Sequence, residues 1–117
     1  MAITTSISGY WRRMDGDNLE LNRRLSESVT VTEGGGNRMV VAAGSVDRSI
    51  MPPGVSKVTT LYMETDNEIN VELTGAKTAS FNIYSDGILA ILNASFSNVK
   101  VSNRCATQRT VFYDLAG

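Results

Sequence analysis

The residues of this 117-residue chain that could do chemistry are few, and they start with four carboxylates: Glu64, Asp66, Glu68 and Glu72. A pair of carboxylates about 5–9.5 Å apart can run glycoside hydrolysis. That reaction also needs a cleft that holds several sugar units, which a small domain with short loops seldom builds. The four are therefore expected on a solvated face, with recognition of a basic partner as their functional alternative. The chain has no histidine, so a Ser-His-Asp triad, a Cys-His pair, an imidazole base and a histidine metal ligand are all excluded. Cys105 is the single cysteine, so an intrachain disulfide and a CxxC site are excluded too. In a strand-like stretch it reads as a small buried hydrophobe.

Two glycine-bearing stretches resemble ligand loops and lack what those loops need. Gly34-Gly35-Gly36 runs into Asn37-Arg38 and has no Lys-Ser/Thr pair for phosphate and magnesium. It is expected to be a flexible hairpin loop. Asp15-Gly16-Asp17-Asn18 opens like a calcium loop, but Glu20 stands where an EF-hand requires glycine, so a simple turn is expected. Asn93-Ala94-Ser95 is a glycosylation sequon, without meaning in a chain that is not exported. No catalytic residue, cofactor or metal is expected.

The remaining constellation is one for binding. Tyr10-Trp11-Arg12-Arg13 and Arg23-Arg24 flank the first turn, and eight of the eleven basic residues are arginine. Arginine forks pair with carboxylates in two-pronged fashion, and Trp, Tyr and Arg are the residue types that dominate binding energy at interfaces. Tyr10, Trp11, Arg12, Arg13, Arg23 and Arg24 are thus the candidate partner-binding residues. The competing reading places Trp11 as a plug in the open end of a sandwich. A carbohydrate site would stack exposed rings on sugar faces, and Tyr10, Trp11, Tyr62 and Tyr84 are its candidates. Phe81, Phe96 and Tyr113 fall at core positions.

The elements that must position these residues read as strands. Ser, Thr and Asn supply 32 residues and proline only two. Glu68 to Thr74 alternates apolar and polar strictly, which puts Ile69, Val71 and Leu73 on one face. Ser28 to Thr32 and Asn98 to Ser102 do the same, and Arg109 to Leu115 places Val111, Tyr113 and Leu115 together. Lys57 to Glu64 and Ala79 to Tyr84 are rich in β-formers. Leu19 to Leu25 is read as a strand with Leu19, Leu21 and Leu25 on one face. Arg38 to Ala42 and Gly87 to Leu92 are nearly continuous apolar runs, as in strands covered on both faces. Turn clusters separate the runs every 8–14 residues or so. The pattern predicts an all-β, antiparallel β-sandwich or jelly roll of about eight or nine strands. Residues 1–18, the least core-like, are predicted to be an extended N-terminal arm, with residues 19–117 as the single sandwich domain.

Charge and hydropathy narrow the partners. Eleven basic and twelve acidic side chains leave a net charge of −1, without the basic excess of a nucleic-acid binder. The start shows no signal-peptide pattern, and the longest apolar run, Ile88 to Leu92, falls far short of the roughly 20 residues of a membrane span. A soluble protein made without classical export, binding neither nucleic acid nor membrane, is expected.

The succession Val58-Thr59-Thr60-Leu61-Tyr62, Glu68 to Thr74, Phe81 to Leu89, Phe96 to Ser102 and Arg109 to Leu115 resembles the small β-sandwich structural proteins of tailed-bacteriophage virions. Capsid decoration or cement proteins are nearest in size. The likeness covers about residues 55–117 and rests on strand order and turn style, so no binding residue is carried over from it. It implies a non-enzymatic virion protein, assembled in the host cytoplasm, that clamps neighbouring major capsid subunits or other virion proteins. Such a protein would act as a homo-oligomer, a dimer or trimer, with residues 1–18 as docking arm. The alternative is a carbohydrate- or receptor-binding module of a phage tail.

Overall fold

The computed structural model describes residues 3–117. Ten strands follow one another: β1 (Ile3–Asp15), β2 (Asn18–Val31), β3 (Gly34–Val41), β4 (Arg48–Ser49), β5 (Thr60–Thr65), β6 (Ile69–Thr74), β7 (Thr78–Ile83), β8 (Ile88–Ile91), β9 (Asn98–Ser102) and β10 (Arg109–Ala116). Among the described residues there is no helix. Eight of the strands build two antiparallel four-stranded sheets, in the orders β3-β10-β5-β8 and β4-β9-β6-β7. The chain crosses between sheets in a way that gives a jelly roll. β1 and β2 form a third, separate sheet of two strands.

The core follows from the alternation. Ile69, Val71 and Leu73 point inward from β6, while Asn70, Glu72 and Thr74 point outward. Val99 and Val101 of β9 join them, and the facing sheet supplies Val41, Leu61, Met63, Val111 and Leu115. All of these are buried. Phe81, Phe96 and Tyr113 pack at the margin of this cluster.

One end of the sandwich is closed by polar groups rather than by a ring. Asn103, fully buried just beyond β9, donates its amide protons to the carbonyls of Val41 (3.0 Å), Ala42 (3.3 Å) and Thr107 (2.9 Å). Its Oδ1 accepts the Cys105 amide at 3.1 Å. Arg109 lies beside it and donates Nε to the Glu68 carbonyl at 2.9 Å and Nη1 to the Thr107 hydroxyl. Two side chains thus bind the ends of β3, β9 and β10 into one unit, since a buried carbonyl stripped of its donor is costly.

Several sequence expectations change. The expected arm over residues 1–18 is, in its described part, one leg of a long hairpin whose other leg is β2, and Gly16 at φ 60° makes the turn between the legs. A boundary at residue 18 falls inside that hairpin. Gly34-Gly35-Gly36 is the start of β3 and not a loop. These glycines are needed where β3 meets β10: a Cβ at Gly34 would stand 2.9 Å from the Ala116 Cβ, and one at Gly36 would run into the Tyr113 carbonyl. Cys105 lies in the loop after β9, half-buried, with Sγ 3.8 Å from Glu68 Oε1. The two continuous apolar runs are edge strands, β3 and β8, and Val40 and Ile88 on their outer faces are exposed.

Asn103→Ala should lower the unfolding free energy by about 2–4 kcal/mol, because it strands several buried carbonyls. A urea titration should show the lower midpoint with an unchanged slope.

Candidate functional site

The ribbon made by β1 and β2 is two-sided. Cross-strand pairs send alternate rows to opposite faces. One face carries Ile3/Val31, Thr5/Val29, Ile7/Glu27, Gly9/Leu25, Trp11/Arg23 and Arg13/Leu21. The other carries Thr4/Thr30, Ser6/Ser28, Ser8/Ser26, Tyr10/Arg24 and Arg12/Asn22. The first face is therefore largely apolar and the second polar. A bulge at Glu20 shifts the register near the tip, pairing Leu19 with Met14 while Leu21 pairs with Arg13. Adjacent residues of β1 face opposite ways, so Leu19 departs from the side of Leu21 and Leu25 on which the alternation placed it.

At its root the ribbon is held by main chain. The Thr32 and Glu33 amides donate to the Gly117 carbonyl at 3.2 and 3.1 Å, and the Gly117 amide donates back to the Glu33 carbonyl at 2.8 Å. Just above that clasp, Thr5 and Ile7 of the apolar face stand over the outer side of β5, β8 and β10, with a cleft of about 450 Å³ between. Thr60, Tyr62, Ile91 and Asp114 line its floor. Thr60 is only 2% exposed, and its hydroxyl has no partner among the described residues. Desolvation there holds the Asp114 carboxyl above the usual carboxylate range. Farther out the apolar face is uncovered, and Trp11 is 65% exposed.

The six candidate binding residues all sit on the outer half of this ribbon, divided three and three between its faces. Arg12 stacks over the Tyr10 ring at 4.5 Å and donates Nε to Asn22 Oδ1 at 3.2 Å. Arg13 pairs with Glu20 at 2.9 Å. Trp11 does not plug the sandwich. Tyr10 and Trp11 leave opposite sides of β1, so they offer no common platform for a sugar ring. Tyr62 lies on the outer face of β5 and Tyr84 in the turn before β8.

The four carboxylates do not converge. Glu64 accepts the Tyr62 hydroxyl proton on the outer face of β5, and this bond is the main reason the phenol titrates above its ordinary value. Asp66 Oδ1 accepts the Thr110 amide at 3.0 Å in the following turn. Glu68 lies near Cys105, and Glu72 pairs in register with Lys100 and Ser80 on the other sheet. Among the described residues no group of three or more acidic or cysteine side chains could hold a metal ion. Sequence reasoning missed Thr60 and Asp114. Their alternation marks them as outward-facing, and only the ribbon laid across the sheet makes them special.

These features define an all-β jelly roll with a projecting, amphipathic hairpin. No family model matches the chain, and no curated protein matches it. Among solved structures the chain is similar to the cupin domain of Schizosaccharomyces pombe Cnp3, at a TM-score of 0.46 and 11% identity. That likeness covers 95% of this chain and 83% of that one.

The raised Asp114 titration has a definite sign. The folded state holds this proton more tightly than the unfolded state, so ionisation opposes folding above the ordinary carboxylate pKa. The penalty is present at neutral pH and vanishes once both states are protonated. Asp114→Asn should therefore raise the melting temperature near neutral pH and give no gain in acid, below about pH 3. Calorimetry at the two pH values checks this.

Proposed function

We propose that the protein is a non-catalytic structural protein that holds neighbouring subunits of a larger assembly together, with the ribbon as its docking element. The observation that carries this reading is the uncovered outer half of the apolar face, centred on Trp11. A two-stranded hairpin is marginally stable in water on its own. Here a ribbon roughly 40 Å long, from strand length at about 3.3 Å per residue, is anchored at one end and open at the other. A ribbon with Trp, Leu and Arg on its free half has the composition of a binding hot spot awaiting a partner. Rigid jelly-roll bodies suit such work, because they hold the ribbon root in place while the free half engages.

The assembly favoured is a virion shell of the tailed-bacteriophage kind, with the protein in the place of a decoration or cement protein on major capsid subunits. Support comes from the resemblance over residues 55–117 and from the uncovered ribbon face. Many modest contacts repeated over a shell add up to firm attachment.

The test is co-sedimentation with shells assembled without this chain. Wild-type protein is expected in the pellet, and a Trp11→Ser/Leu25→Ser variant, shown folded by circular dichroism, in the supernatant. Wild-type protein left in the supernatant overturns the reading. A variant that pellets undiminished removes the ribbon from it.

A further inference from the structure

A second uncovered face lies on the same chain. On the outside of the sheet β3-β10-β5-β8, register brings Arg38, Phe112, Glu64 and Ile88 into one row, with Val40, Thr110 and Asp66 in the next. Val40 is 53% exposed, Ile88 64% and Phe112 42%. Tyr62 and Phe112 meet edge to face at 6.4 Å. Two shallow hollows of about 230 Å³ each flank Glu64. Phe112, Arg38 and Asp66 line one, and Asp86 and Ile88 the other. Scattered exposed hydrophobes are ordinary, but here Phe112, Val40 and Ile88 share one sheet face with Tyr62, and Glu64 stands among them between Phe112 and Ile88.

This face and the free half of the ribbon are complementary. The ribbon offers Trp11, Leu21 and Leu25 with Arg23, which forms no ion pair among the described residues. The sheet offers Phe112, Ile88 and Val40 beside Glu64, Asp66 and Asp86, against Arg38 as its one cation. The fit also continues a contact already present within the chain. The root of the same apolar ribbon face stands over the same sheet at Tyr62 and Asp114. The free half leaves its own sheet behind and exposes the surface that this sheet receives.

We propose that the free half of the ribbon docks on the outer face of β3-β10-β5-β8 of a second copy of the chain, so that the copies are linked ribbon to sheet. This rests on the reading of the ribbon as a docking element and gives its apolar face a second copy, not a capsid subunit, as occupant, so that it is the linked copies that sit on the shell. Trp11 would seat against Phe112, and Arg23 would meet Glu64. Two copies can exchange ribbons reciprocally, or several can close into a ring, and both arrangements leave no ribbon bare.

Light scattering coupled to size-exclusion chromatography tests it on the full chain. Wild type is expected at an integer multiple of the chain mass. A ribbon variant, Trp11→Ser/Leu25→Ser, and a sheet variant, Ile88→Glu/Phe112→Glu, should each dissociate about thirtyfold more readily or worse. Mixing the two variants should restore a pair, because each keeps the half the other lacks. Arg23→Glu should weaken association, and adding Glu64→Arg in the same chain should recover it; this exchange leaves the apolar surfaces intact, so it reads docking even where a polar replacement unsettles the fold. A monomeric wild type, or oligomers unchanged in both variants, overturns the inference. A wild-type monomer that still pellets with shells overturns it and leaves the shell reading standing. A ribbon-dependent oligomer indifferent to shells does the reverse.

Discussion

The sandwich depends on a single constraint: every second side chain along β5, β6, β9 and β10 must be apolar, because these strands enclose one dry layer between two sheets. Ile69, Val71 and Leu73 meet it from one side and Leu61, Met63, Val111 and Leu115 from the other. Burying such side chains contributes roughly 1.5–3 kcal/mol each, and a one-residue slip of register would turn all of them to water. That is why the central strands are fixed in place and the remaining elements are arranged around them. Asn103 and Arg109 answer the same constraint at the end of the layer. There β3, β9 and β10 run out of ladder, and side-chain donors take over the buried carbonyls.

The ribbon shows what happens when the constraint is met by half. β1 and β2 alternate too, though Thr5, Gly9, Glu27, Arg13 and Arg23 interrupt the apolar face, and its outer portion is left exposed. A cover exists only at the root, where the Gly117–Glu33 clasp brings Thr5 and Ile7 over β5 and β8. Buried Thr60 and the partly desolvated Asp114 line the cleft beneath it. The polar face needs no cover. Arg12 packs on Tyr10, serines and threonines fill the remaining rows, and water satisfies the rest. On the proposed reading the uncovered half of these strands is the docking element, and the sandwich is the base that carries it.

Much of the fold was legible because period two is a strong local signal. Glu68 to Thr74, Asn98 to Ser102 and Arg109 to Leu115 are strands with the faces their alternation assigns. The hairpin was less legible. Ile3 to Trp11 alternates too, but its apolar face is thin, with Thr5 and Gly9 in it, so that even beside the expected turn at Asp15 to Asn18 the stretch reads as an arm and not as a partner of β2. The bulge at Glu20 leaves no mark in composition, so alternation alone puts Leu19 on the wrong side. The glycine run has the composition of a flexible loop, whereas its reason is steric and lies on β10, eighty residues away in the chain. The binding residues were legible as types, Trp and Arg around a turn. Their division between two faces was not, since it needs the register.

Arg38 to Ala42 and Gly87 to Leu92 have the pattern of strands covered on both sides, and within one chain they are edge strands covered on one. An edge strand facing water gains nothing from Val40 or Ile88 on its outer face. Such positions more often hold charge, which keeps edges from pairing at random. The pattern and the fold agree once the second cover comes from outside the chain. Under the proposed docking, Glu64, Asp66 and Asp86 would favour a basic amphipathic ribbon over an acidic one. The same local rule that places Val71 in the core thus accounts for Val40 at the surface.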